Sequence, residues 1–158
     1  MERYLRFRWL VGILVLFGLL STSAASDLLR TTPHPSLSPL DVVVIVMNAL
    51  QHNDTPDRNR GISVTFNFAS PANKRVTGPL MRFVTMVRGP VYGKMIGHQG
   101  ATYENVEIEG DNARIDVIIK ARGRKYLGFR FLLSRQRHNQ FNGSWMTDSV
   151  IPIEVVSS

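Results

Sequence analysis

The sequence predicts an α+β fold, with N-terminal helices packed on an antiparallel sheet of about four strands. Leu80, Phe83, Val84 and Val87 recur at i, i+3, i+4 and i+7, the spacing of one helical face. After Gly100 the pattern changes to four strand-like runs, YENVEIEG, NARIDVIIKA, RKYLGFRFLLS and SWMTDSVIPIEV, separated by turn residues. Helices first and strands afterwards place the helices on one face of an antiparallel meander, not between parallel strands.

The chain opens on a short targeting segment, residues 1–25. Three arginines precede an unbroken run of 12 apolar or glycine residues from Trp9 to Leu20, and Ser23 and Ala25 stand small at the −3 and −1 positions of a cleavage site. A spanning helix needs about 20 apolar residues, so cleavage after Ala25 is favoured over retention of residues 9–25 as a membrane anchor. The expectation is export, to a periplasm, a lumen or the outside, with anchoring to a membrane as the alternative. Residues 26–38 carry proline, serine and threonine without apolar periodicity and read as a linker; residues 39–158 form one domain. A domain of this size buries about two-thirds of the surface of its unfolded chain and needs no disulfide. The absence of cysteine fits this, and it excludes thiol catalysis and thiolate metal sites.

Ser38-Pro39-Leu40-Asp41 combines a capping serine, a proline at the first helical position and a carboxylate three residues after the cap, so a helix starts here and runs to about His52. In the next run, RNRGISVTFNFAS, a shorter helix competes with a strand because Ile62, Val64, Phe66 and Phe68 alternate. Gly78-Pro79 opens the helix that carries the Leu80 stripe, and Gly89-Pro90 closes it. Among the strands, facing Ile115, Val117 and Ile119 with Phe131, Phe129 and Leu127 requires the three-residue loop Arg122-Gly123-Arg124, a known hairpin form. The same rule faces Val106 and Ile108 with Val117 and Ile115 across a turn at Asp111-Asn112. These registers line up Glu107, Asp116 and Arg130 in a candidate charged row on the opposite face of the sheet.

The stretch FNFASPANKRVTGPLMRFVTMVRGPVY, with Phe68-Ala69-Ser70-Pro71, Phe83, Met86-Val87 and Tyr92, and the later Gly143-Ser144-Trp145, resembles the domain of unknown function 4864 family over about Leu40 to Ile153. That family resembles the nuclear-transport-factor-2-like (cystatin-like) superfamily. The resemblance implies a cone of helices wrapped by a curved antiparallel sheet. It implies no catalytic residue, since the superfamily places isomerases, dehydratases, ligand-binding proteins and assembly factors on one cone.

The residues name no chemistry outright. His34, His52, His98 and His138 share no metal-ligand spacing, and phosphate-loop and nucleophile-elbow patterns are absent, so no metal, cofactor or catalytic residue is expected. Phe83, Tyr92, Tyr103 and Trp145 are candidate pocket residues. An acid/base enzyme on such a cone would draw on Tyr92, His98, Tyr103, Asp116 and Asp148, because proton transfer at a carbonyl needs one donor and one base converging in an apolar site. The formal net charge is +7, and eight cations lie between Arg114 and Arg137. They read as a solvated strand face or as a footprint for an anionic membrane surface, with nucleic acid disfavoured by export. The preferred reading is a non-enzymatic exported binding or assembly module, with a protein partner or a homodimer through the sheet. The alternative is a small-molecule-binding or isomerase-like or dehydratase-like enzyme with its site inside the cone.

Overall fold

The computed structural model describes residues 32–123 and 125–155; the expected leader, its cleavage site and the start of the linker lie outside the described residues. Helix α1 (Pro39–Gln51) begins at the expected signal. The Ser38 hydroxyl accepts the Asp41 backbone N–H at 3.1 Å and the Asp41 carboxylate accepts the Ser38 backbone N–H at 2.9 Å, a reciprocal capping box. Its valine-rich face, Val42, Val43 and Val46 with Met47 and Leu50, is buried in the core.

The ambiguous second segment is a helix, α2 (Arg60–Phe68). Its β-branched residues are tolerated because packing against α1 outweighs intrinsic propensity. Gly61 is what lets the two helices meet: its N–H donates to Asn53 O at 2.9 Å, and a side chain there would fall 1.9 Å from Ala49 O. A further short helix, α3 (Pro71–Thr77), was not anticipated, although Ser70-Pro71 uses the same start signal as Ser38-Pro39 and the Ser70 hydroxyl accepts Asn73 N–H at 3.2 Å. Helix α4 (Leu80–Val87) buries Phe83, Val84 and Val87, as its stripe requires. A 3₁₀ turn, Tyr92–Met95, leads into the sheet.

The four strands β1 (Gly100–Glu109), β2 (Asn112–Lys120), β3 (Tyr126–Arg135) and β4 (Trp145–Ile153) form one antiparallel sheet in sequence order. The β2–β3 register is the expected one, with Ile119, Val117 and Ile115 facing Leu127, Phe129 and Phe131. Ala121 N–H donates to Lys125 O at 2.8 Å, closing the three-residue loop, and Gly123 supplies its positive φ of 85°.

The β1–β2 register differs from expectation. Glu109 pairs with Asn112, so the turn is Gly110-Asp111, where Gly110 takes φ 58°. Glu107 therefore faces Arg114, and Glu104 faces Asp116. The three-member charged row is not formed; Asp116 and Arg130 remain opposite each other. The β1–β2 register is displaced by two residues from the expected one, which keeps Ile108 on the face of Ala113 and Ile115, so apolar alternation fits both registers and cannot choose between them; Ile108 is 54% exposed at this end of the sheet. Asn105 and Val106 form a β-bulge, with Asn105 at φ 48°. A second bulge interrupts β4: Leu132 pairs with Ser149 and Leu133 with Thr147, leaving Asp148 as the extra residue. Among the described residues no helix is long and apolar enough to cross a membrane.

Candidate functional site: an apolar cavity between α3, α4 and β4

Helices α1 and α2 complete the packed core, whereas α3 and α4 stand over β4 and leave a cavity of about 370 Å³. Val46 and Leu50 of α1 and Phe131 of β3 wall it, Phe83, Met86 and Val87 of α4 cover it, and Thr147 to Val150 of β4 border it. Its exposed lining residues, Ala72, Val76 and Met86, belong to α3 and α4, so the opening lies between these helices. The volume falls in the range of about 300–1,000 Å³ that small-molecule sites occupy, and the apolar lining is their usual character.

The cavity is held open by a hydrogen-bonded tie. The Thr147 carbonyl accepts Ser70 N–H at 2.8 Å and Asn73 Nδ2 at 3.1 Å, pinning the start of α3 to the β4 bulge. Asn73 Oδ1 in turn accepts the Thr77 hydroxyl at 3.0 Å, and the Thr65 hydroxyl donates to Gly61 O at 2.9 Å. The Tyr92 hydroxyl donates to Val150 O at 3.1 Å. Four of the polar side chains around the cavity are thus engaged with the protein itself. Three are not: the Thr147 hydroxyl is buried without a hydrogen-bond partner, and the half-buried Asp148 and Ser149 have no polar partner for their side chains among the described residues.

The candidate pocket residues divide. Phe83 and Tyr92 line the cavity; Tyr103 and Trp145 do not. Trp145 is buried beneath the Arg135 guanidinium, 5.0 Å from its ring centroid, and Tyr103 is half-buried on β1, where burial pushes its phenol pKa up. Of the acid/base candidates, Tyr92 and Asp148 line the cavity. His98 is buried elsewhere, its Nδ1–H donating to Met95 O at 2.9 Å, and burial pushes its pKa down. Asp116 lies on the other face of the sheet, almost completely buried by its partners: Arg130 Nε and Nη2 donate to its two oxygens at 2.7 and 2.8 Å, and Asn105 Nδ2 adds a bond at 3.0 Å. The Arg130 hydrogen bond holds this carboxyl below the usual carboxylate range against the opposing effect of burial.

Among the described residues no group of three or more His, Asp or Glu is placed to hold a metal. Sequence reasoning missed Thr147 altogether. The signal that could have found it is weak, a Thr-Asp-Ser interruption in an otherwise apolar strand, and the bulge that gives it meaning is set by pairing with β3. No family model matches this chain, and no curated protein or solved structure matches it significantly.

Proposed function

We propose that this domain is a non-enzymatic binding module, exported from the cytoplasm, that holds a small and mainly apolar molecule between α3, α4 and β4, on a nuclear-transport-factor-2-like cone of the domain of unknown function 4864 type. The cavity is the observation that carries this reading. The residues behind the family resemblance support it: Ala69, Phe83, Met86, Val87 and Tyr92 all line the cavity, and Ser70 ties its rim to β4. Helices that precede the sheet and cover one of its faces, with a bulge in each edge strand, are also the arrangement a curved cone needs.

The enzyme reading draws on Asp148 as a base in an apolar site. It lacks the second group, because Tyr92 donates its hydroxyl to Val150 O and the cavity lining contains no other ionisable side chain. Thermal unfolding with a series of apolar probes tests the binding reading. A naphthalene-sized probe should raise the melting temperature with increasing concentration, and Val46→Trp, which fills the cavity, should abolish that rise. Equal rises in the variant and the wild type would place binding elsewhere and sink the reading.

A further inference from the structure

We infer that the ligand carries one hydrogen-bond donor, a hydroxyl or a protonated amine, on an otherwise apolar body, and that the β4 bulge at Thr147-Asp148 is its recognition subsite. This rests on the binding-module reading. Successive residues of a regular strand point to opposite faces, so Thr147 and Asp148 would not address one cavity together. A bulge re-aims side chains, and here both residues border the cavity.

The polar balance selects the ligand's chemistry. Buried polar groups are normally hydrogen-bonded. Among the described residues only two buried side-chain polar atoms have no partner, Thr147 Oγ1 and Arg114 Nε. Arg114 is already engaged through Nη2 with Glu107 at 2.6 Å. Thr147 Oγ1, in contrast, belongs to a residue that lines the cavity, and its polar neighbours Asn73 and Thr77 are occupied with each other and with Thr147 O. A hydroxyl or ammonium can donate to the carboxylate while the threonine hydroxyl supplies the second bond. A ligand carboxylate would meet Asp148 as a like charge.

Four probes on one skeleton test this with the full chain at pH 7: 2-ethylnaphthalene, 2-(2-naphthyl)ethanol, 2-(2-naphthyl)ethylamine and 2-naphthylacetate, titrated calorimetrically. The alcohol and the amine should bind about tenfold or more tighter than 2-ethylnaphthalene, as one hydrogen bond to a charged acceptor allows, and the acetate should bind more weakly than all three. Asp148→Asn should remove most of the amine's advantage and Thr147→Val should reduce the alcohol's. Each loss is read as the ratio of the donor's affinity to that of 2-ethylnaphthalene in the same variant, and cooperative thermal unfolding reports that the variants are folded. Equal wild-type affinities for 2-ethylnaphthalene and the two donors would overturn the donor assignment and leave the binding module standing. Binding of none of the four would overturn both. The wild-type rank order decides the matter even if a variant does not fold.

Discussion

Thr147 combines two residue-scale effects of opposite sign. Its carbonyl ties β4 to α3, which any side chain allows, while its buried hydroxyl is left without a bond. An unsatisfied buried polar group costs about 1–3 kcal/mol, so Thr147→Val, which removes the oxygen and keeps the shape, should raise stability by about 1 kcal/mol in chemical denaturation while weakening binding of a donor-bearing probe. A loss of stability would mean that the hydroxyl is satisfied in the native state. His98 makes a pH prediction. Burial lowers its pKa from the ordinary 6.5, with His52 adding to the effect and the bond to Met95 O opposing it. The unfolded chain therefore takes up a proton that the native state refuses. That contribution to stability is complete above about pH 6.5 and is lost as the pH falls toward the lowered folded value. Stability measured from pH 7.5 to 5 should decline on acidification, and His98→Gln should flatten the decline; an equal slope in the variant would assign it to other groups.

Close approach and bulges decide the behaviour of whole elements. The α1–α2 contact leaves no room for a side chain at Gly61, and the obstructing atoms, Ala49 O and C and Asn53 Cα, are backbone. Gly61→Ala should destabilise by at least the upper end of the about 1–3 kcal/mol typical of overpacking, because two helices have to separate. A change below about 0.5 kcal/mol in denaturant midpoint analysis would mean that α2 can shift freely. Helix α4 is held by its buried stripe and by Phe83, whose ring lies 5.1 Å from that of Phe66. Phe→Ala in a core costs about 3–5 kcal/mol. Phe83→Ala should fall near the low end, about 3 kcal/mol, since this ring already borders the cavity. An unchanged melting temperature would remove α4 from the core.

Charge acquires its meaning at the scale of the whole molecule. Among the described cations between Arg114 and Arg137, four have carboxylate partners in the sheet or its turn: Arg114 pairs with Glu107, Arg130 with Asp116, and Arg135 and Arg137 with Asp111. The run is thus a weaker footprint for an anionic surface than its count suggests. The helical layer is different. No carboxylate occurs between Asp57 and Glu104, a stretch that holds Arg58, Arg60, Lys74, Arg75, Arg82, Arg88 and Lys94, and among these Arg88 is drawn to Asp54 at 3.0 Å. The proposed export is tested on the whole chain. Intact mass of the protein recovered from outside the cytoplasm should lack residues 1–25, and a mass that retains them would mean an anchor.

Much of the fold was legible in the sequence, wherever one local rule acts on a few neighbouring residues. Ser38-Pro39 and Asp41 specify the start of α1, the Leu80 stripe specifies the buried face of α4, and Gly123 with matched alternation on both sides specifies the β2–β3 register and with it the Asp116–Arg130 pair. The helical state of Arg60–Phe68 could not be settled locally, because its alternation suits a strand and only the approach of α1 at Gly61 overrides it. The β1–β2 register was misjudged because a two-residue shift leaves Ile108 on the same face of the sheet, so alternation fits either register, and the turn at Gly110-Asp111 with the Asn105-Val106 bulge decides between them. The candidate site depends most on tertiary structure. Phe83, Tyr92 and Asp148 could be nominated from residue type alone, but Thr147 becomes a site residue through three distant events: pairing with β3 that forces the bulge, the Ser70 and Asn73 bonds that occupy its carbonyl, and the stand-off of α3 and α4 that leaves its hydroxyl facing a cavity. Helix caps and turns are decided by residues a few positions apart, whereas a cavity is the space left between elements and exists only once all of them are in place.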